Sequence, residues 1–522
     1  MSALFTPRRA GGLAAAAALA LTLAACSSSS SGSAASPAAS ASGSAAAASG
    51  GTYNIGLITP TGGINPLTTT QYDTMFAVGL ASATLVNTNG SGQLKPQLAA
   101  SWQESADKLS WTFTLRPGLK FSNGKPLTAK DVVATFESII SPSSQSPAAS
   151  SFSGILKSVT GSGPSVVFHL DAPYADFPYL LSGANTWILP AGTNAANWIN
   201  NPAGAGQFTL EKYTAGQGIS YKKNPYYWDA AAVKLAAVNA TFFSSDQQEL
   251  LAFQSGQIAQ LSVSPTIAAT LGTSYRSVKS GYVKFDGLTF NVNKAPFNDV
   301  ATRQAVAWAL NRPAIVQTAY AGQAAVGNDV ATFPGYSVQP TGLPQRTQNL
   351  PEVKKLLGSK VISFTITTYT DEQTYAQLIQ QELNATGNFK VSLDVLTESA
   401  YYASGAASPW LSAPVTLTDW ANRLPAQLYA LIYAKGAAWN ASGFNSPQLG
   451  QLVDQYEAAT SASQQQALAN QIAAIEYAQV PVIVAAFQQS AVYVGKSVQG
   501  TFPNGLQFSG GFDLRGITVS GS

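Results

Sequence analysis

From Thr52 onward the chain alternates between two incompatible hydrophobic periods, and this alternation restricts its fold more than any other feature. Trp111, Phe113 and Leu115 recur at every second residue, with Thr112, Thr114 and Arg116 between them. That is the period of a half-buried strand, and Pro117-Gly118 ends it. Thr128 stands three residues before Asp131, the spacing of a capping box, and Val132, Phe136, Ile139 and Ile140 follow at helical spacing. The segment 142–150 reads as a polar loop, and Val166, Phe168 and Leu170 alternate again. A strand is expected over 283–293 with Gly287 inside it, then a helix capped by Asn298 or Asp299 that carries Val306 and Leu310 on one side. A strand over 361–367 precedes a helix over 375–383 with Leu378, Ile379 and Glu382 near one face. Ser446 is a good N-cap with Pro447 at the first helical position, and Leu449, Leu452, Val453 and Tyr456 recur at i, i+3, i+4 and i+7. Leu468, Ile472 and Ile475 continue that theme. Strands and helices interleaved in this way give a mixed α/β class, and no short-period repeat suggests a solenoid.

Size and composition narrow the function classes. Roughly 470 residues follow the N-terminal region, too many for one core, so two or three structural units are expected. Hydrophobic residues make up 46% of the chain and charged residues only 10%, with a formal net charge of +3 to which Arg8 and Arg9 contribute two. Near-neutrality argues against nucleic acid as a partner, because a phosphate backbone demands a concentrated basic surface. The most apolar stretch of the body, 480–487, is short and β-branched and reads as a buried strand. His169 is the only histidine and Cys26 the only cysteine, which leaves no His-rich metal site and no Cys–His pair. His169 alternates with Val166, Phe168 and Leu170 and is expected on the opposite, solvent-facing side. No Gly-x-Ser-x-Gly lies near it and no Gly-rich phosphate loop is found. Asp246 and Glu249 form a carboxylate pair on a helix flank, expected to be solvated. The expectation is a non-enzyme without cofactor or metal.

The first 51 residues carry an address. Arg8 and Arg9 precede an apolar run too short to span a bilayer, which ends Leu23-Ala24-Ala25-Cys26. Residues 1–25 read as an export signal, and the ending resembles a bacterial lipobox in which Cys26 becomes the lipid-bearing first residue. Residues 26–51 are Ser/Ala/Gly-rich, cannot bury apolar area, and as a flexible coil would reach about 25–30 Å.

Five segments, taken in order, resemble the family 5 solute-binding proteins of ABC importers, the peptide- and nickel-binding group. They are Leu94-Lys-Pro-Gln-Leu-Ala-Ala-Ser-Trp102 continuing into the run 111–133; Asn201-Pro202 with Gly204, Gly206 and Tyr221-Lys-Lys-Asn-Pro-Tyr-Tyr-Trp228; Phe290-Asn291-Val292; Pro296-Phe297 with 300–314; and Asn445-Ser446-Pro447. Two departures stand out. Ala259 replaces the Asp that usually follows a segment such as Ser255-Gly256-Gln257-Ile258. In Asp419-Trp420-Ala421-Asn422-Arg423-Leu424-Pro425, Arg423 falls near the position where peptide-binding members carry an Asp, although Asp419 could replace that group by a register shift. If Arg423 faces the cleft, its fixed donors suit a carboxylate or phosphate-like ligand better than an amine.

The resemblance implies a two-lobed, type II periplasmic-binding-protein-like fold of the large cluster, with a hinge between the lobes. Residues 52–289, with 490–522 returning to them, would form the first lobe and 290–489 the second. An extra subdomain would occupy about 88–186, and the crossings would lie near 287–292 and 487–492. The implied function is a lipid-anchored binding protein on the outer face of the cytoplasmic membrane. It would be a monomer that delivers a small solute, an oligopeptide or peptide-like compound, to an ABC permease and ATPase complex. An extracellular hydrolase on a similar scaffold and a ligand sensor for a membrane receptor are the alternatives. The candidate ligand-binding residues are Trp420, Arg423, Asn422, Asp419, Trp187, Tyr401, Trp439 and Asn65, with Tyr402, Trp410, Phe444 and Pro66 behind them.

Overall fold

In a computed structural model of the chain, the described residues are 50–522 except 61–62, 90–91, 264, 273, 404–407, 434–436, 438, 460, 501, 503–512 and 521–522. The expected export signal, Cys26 and the expected linker as far as residue 49 lie outside them. The first strand, Gly50–Ile58, starts two residues before the expected onset of order and pairs in parallel with Leu235–Phe243. Gly50 belongs to this strand because a Cβ there would sit 1.4 Å from the carbonyl oxygen of Lys234.

Two long strands, Arg276–Phe290 and Val482–Val494, run antiparallel at the middle of an 11-stranded sheet. On one side of the pair the order continues through Gln260–Leu261, Gly50–Ile58, Leu235–Phe243, Gly218–Lys223 and Phe208–Thr214. On the other it continues through Val415–Ala421, Ile362–Tyr369 and Phe389–Leu396, with Ala324–Val326 pairing to the side. The first long strand begins earlier than the expected 283–293. Its pairing slips between Lys279 and Tyr282, between Tyr282 and Lys284, and between Phe285 and Gly287. Such bulges bend a strand and increase its twist. Gly287 has a packing reason: a Cβ would lie 3.2 Å from the side chains of Phe285, Trp420 and Val482.

A separate four-stranded sheet, in the order Ala99–Glu104, Ser110–Leu115, Ser165–Leu170 and Leu156–Ser162, holds the alternating segments read from the sequence. The helix Ala129–Ile140 covers it and starts at the capping box, where Asp131 Oδ2 accepts the Thr128 backbone N–H at 2.8 Å. Phe113, Phe136 and Phe168 meet edge to face, with centroids 4.9–5.5 Å apart. The expected loop over 142–150 runs instead into a short helix, Ala148–Phe152, whose Phe152 joins this core. His169 is half-buried on the face opposite Phe168, its Nε2 3.2 Å from Thr160 Oγ1.

This core is continuous with the side chains around the helices Pro425–Ile432, Pro447–Glu457 and Ala462–Gln479, through Tyr429, Leu449, Tyr456 and Ile472. Backbone and side-chain hydrogen bonds accompany that contact: Ala175 N–H donates to Glu457 O at 2.9 Å, and Gln465 Nε2 donates to Asp176 Oδ1 at 3.2 Å. Among the described residues, no helix is long and apolar enough to cross a membrane.

Asp329 and Glu249 each belong to a buried charge group. Asp329 is held by Arg312 Nη2 at 2.7 Å and Arg346 Nη1 at 2.6 Å, all three residues being buried. Glu249, expected to be solvated, is instead only 2% exposed. The helix Asp246–Gln254 turns it inward beneath the first strand, because Leu250 and Phe253 on the same side build a small core there. Burial, then Asp73 and Asp246, push the Glu249 carboxyl up from 4.5 to about 8.

Two measurements of stability follow from these groups. Asp329→Asn leaves two buried guanidinium groups without their shared counter-charge and should cost about 3–5 kcal/mol in urea denaturation. The folded chain holds a proton on Glu249 that the unfolded chain has already released, so this group lowers stability as pH rises from 4.5 towards about 8. Glu249→Gln should therefore raise the melting temperature at pH 8 and leave it nearly unchanged at pH 4.5. An equal effect at both pH values would contradict this.

Candidate ligand-binding site

The strand Val415–Ala421 runs antiparallel to Arg276–Phe290 and parallel to Ile362–Tyr369, through the pair Thr367 and Thr416. The carboxyl end of the first, carrying Asp419-Trp420-Ala421, opens onto a cavity of about 420 Å³, and Tyr369 at the same end of its parallel neighbour hydrogen-bonds to Asp419. Open α/β sheets place their ligands at such strand ends. The lining side chains are Tyr402, Trp410, Thr418, Asp419, Trp420, Ala421, Arg423 and Trp439.

The aromatic wall is continuous. Trp420 stacks on Phe285, its register partner, with centroids 6.2 Å apart and planes at 15°. Trp439 follows at 5.9 Å from Trp420, Trp410 at 6.0 Å from Trp439, and Tyr402 at 5.7 Å from Trp410. Trp410 is delivered by the short helix Pro409–Ser412, and Trp439 is held by its backbone N–H on Leu431 O at 3.2 Å. The indole Nε1 of Trp420 is buried and has no hydrogen-bond partner among the described residues.

The charged groups are arranged in layers. Asp419 Oδ1 accepts from Tyr369 at 2.6 Å and from Tyr402 at 3.3 Å. Burial, with Asp419 beside them, pushes both phenols far above their ordinary range, so they remain donors. Behind Asp419, its cross-strand neighbour is Asp286, a juxtaposition of like charges that would be unfavourable if bare. Lys284 answers it, with Nζ 3.0 Å from Asp286 Oδ1 and 2.6 Å from Glu372 Oε1. Burial pulls the Lys284 ammonium down, but the two carboxylates outweigh it and the net direction is upward. Burial, then Asp286, lift the Glu372 carboxyl from 4.5 to about 7, against the pull of Lys284. Tyr320 completes the layer by donating to Asp286 Oδ2.

Arg423 follows the strand end. Its Nη1 donates to Ala421 O at 2.9 Å, and its guanidinium carbon lies 5.0 Å from the centroid of the Trp439 ring. Among the described residues no carboxylate lies within 4.0 Å of it. Burial lowers its pKa, with Asp419 acting in the other direction.

Of the residues singled out in the sequence, Trp420, Arg423, Asp419 and Trp439 line the cavity together with Tyr402 and Trp410. The other candidates stand elsewhere. Asn422 is buried at 2% exposure and works as a bracket, accepting from Tyr336 at 2.5 Å and donating to Tyr282 O at 2.6 Å. Tyr401 is fully buried behind the wall, its hydroxyl on Leu417 O at 3.0 Å. Trp187 is 1% exposed and packs in a different core with Tyr53, Phe208 and Tyr221. Asn65 caps its own turn, accepting Leu67 N–H at 2.9 Å, and Asn185 then ties that turn to the Trp187 loop through Pro66 O at 3.0 Å. Phe444 is half-buried and its carbonyl accepts from Asn440 Nδ2 at 2.9 Å.

Sequence reasoning missed Tyr369, Glu372, Lys284 and Asp286. The expected strand over 361–367 stops two residues short of Tyr369. The rule that ligands sit at carboxyl ends of parallel strands would have singled out that end. Among the described residues no group of three or more His, Cys, Asp or Glu side chains could hold a metal.

The profile of the bacterial extracellular solute-binding proteins, family 5 Middle, matches residues 93–442. Protein XP55 of Streptomyces lividans is 30% identical over 237 residues, 43% of this chain and 42% of that protein. The nickel-binding periplasmic protein of Escherichia coli (strain K12) is 26% identical over 298 residues, 54% of this chain and 56% of that one. The chain thus spans about half the length of these relatives. In structure, the ABC transporter-associated periplasmic binding protein DppA from Helicobacter pylori, in complex with the peptide STSA, superposes with a TM-score of 0.71. That match has 22% identity and covers 90% of this chain and 99% of that one. The fold is therefore the two-lobed, mixed α/β fold of these binding proteins.

The bracket role of Asn422 predicts a structural phenotype. Asn422→Ala would leave the Tyr336 hydroxyl and the Tyr282 carbonyl buried and unpaired, at a cost of about 1–3 kcal/mol in chemical denaturation. A loss below experimental error would contradict it.

Proposed function

This chain belongs to the bacterial extracellular solute-binding proteins of family 5, and on that premise we propose that it captures a small solute and delivers it to an ABC permease and ATPase complex. The observation that carries the reading is the cavity of about 420 Å³ walled by three tryptophans and a tyrosine, with Asp419 and Arg423 set into the wall. Apolar area with a few fixed polar groups is what holds a small ligand and orients it. The expected cargo is an oligopeptide or peptide-like compound. The nickel-binding relative in Escherichia coli carries a different cargo by name, and this chain offers one histidine and no cysteine beyond Cys26 for binding a bare metal.

All eight lining residues fall between 402 and 439, within the proposed second lobe, 290–489. The first lobe, 52–289 with 490–522, supplies the facing wall when the lobes close. The crossings are the two long strands, and the hinge lies where their register slips, from Lys279 to Gly287 on one strand opposite 484–491 on the other. Ligand that touches both lobes favours the closed state by its differential affinity. The chain acts as a monomer without catalysis. It is exported by residues 1–25 and held on the outer face of the cytoplasmic membrane by lipid on Cys26, with 26–49 as a tether.

Two experiments test this reading. A thermal-shift screen with mixed tripeptides should give a hit that adds about 2.7 kcal/mol of stability at 100 times Kd, and Trp439→Ala should remove it. Turnover of the pool by purified protein, or a hit that Trp439→Ala leaves intact, would contradict it. In the producing cell, Cys26→Ser should shift the protein from the membrane fraction to the soluble fraction; retention in the membrane would contradict the lipid tether.

A further inference from the structure

We infer that Arg423 selects cargo by charge, so that the cavity receives a single carboxylate against the face of Trp439. This deepens the capture reading above and rests on it. Three observations converge. The first is an unanswered cation: Arg423 lines the cavity, no carboxylate among the described residues stands within 4.0 Å, and among those residues its guanidinium donates through Nη1 to Ala421 O. A guanidinium withdrawn from water without an anion is costly, and a ligand carboxylate removes that cost.

The second is orientation. The guanidinium lies over the Trp439 ring at 5.0 Å, so stacking restrains it while Nε and Nη2 have no hydrogen-bond partner among the described residues. A restrained planar fork matches the two oxygens of a carboxylate and loses little freedom on binding it.

The third is the sense of the spare hydrogen-bonding capacity. The buried Trp420 Nε1 is a second donor without an acceptor among the described residues, and a carboxylate is acceptor-only. Asp419, by contrast, already receives two phenolic donors on Oδ1.

The same wall disfavours a cationic cargo. An aromatic box can hold an ammonium group, but here the face of Trp439 already carries the protein's own cation. A second positive charge would meet Arg423 in a poorly solvated space. Asp419 adds the complementary restriction: its negative charge in the same wall penalises a second anionic group on the ligand, which limits the cargo to one carboxylate at this end.

The test uses the mature chain and three matched pools of the same alanine- and tryptophan-containing tripeptides, titrated by calorimetry. One pool is N-acetylated with a free carboxylate, one is N-acetylated and C-terminally amidated, and one has a free amine and a C-terminal amide. The acetylated acids should bind at least tenfold more tightly than the acetylated amides. Arg423→Glu should reverse the order in favour of the amine pool, and Arg423→Lys should keep the preference for acids with weaker affinity. Melting temperatures within a few degrees of wild type would show that the variants fold. Tightest binding of the amine pool to the wild type, or an unchanged ranking in Arg423→Glu, would overturn the charge assignment while leaving capture in place. Binding of no pool to the wild type would overturn the capture reading and this inference with it.

Discussion

The antiparallel pairing of Arg276–Phe290 with Val482–Val494 is the interaction on which the rest of the structure depends. Among the described residues it joins the strands running out to Phe208–Thr214 with those running out to Phe389–Leu396. Phe285 faces Phe487 across this ladder and stacks on Trp420 across the next one, and Trp420 lines the cavity. Gly287 is small enough for Trp420 and Val482 to close over it. The slips in that register sit beside the same residues, so the bending of the ladder and the shape of the cavity share one set of backbone contacts.

The electrostatics of the cavity are built outward from that ladder. Asp286 and Asp419 would repel across the strand pair if nothing intervened. Lys284 and Tyr320 neutralise and hydrogen-bond the inner carboxylate. Tyr369 and Tyr402 hold the outer one at the cavity wall. Arg423 is the group in this series that the protein leaves without a counter-charge within 4.0 Å among the described residues. In a half-enclosed aromatic space a charge of that kind has more influence on what binds than it would on an open surface, where water screens it.

Much of this was legible in the chain. The capping box at Thr128 and Asp131, the Asp299 cap and the Ser446-Pro447 start are local chemistry, and local chemistry survives folding. The Trp420–Arg423 segment could be singled out because it resembles the stretch after a tryptophan where peptide-binding members of the family carry an Asp. Other parts depend on distant partners. Nothing near Trp187 announces that it joins one core with Tyr53 and Tyr221, more than thirty residues away in each direction. Glu249 looks like a surface residue until the Leu250 and Phe253 side turns it inward. Tyr369 was lost to an uncertain strand end, and Asn422 to the fact that a buried amide and a ligand-facing amide look alike in sequence.

The most direct test of capture between these side chains is the electron density of a crystal structure of the protein carrying cargo retained from its own cells. The density should lie between Trp410, Trp420 and Trp439, with an acidic group on the Arg423 guanidinium. Cargo lodged away from the 402–439 wall, or an amine facing Arg423, would contradict it.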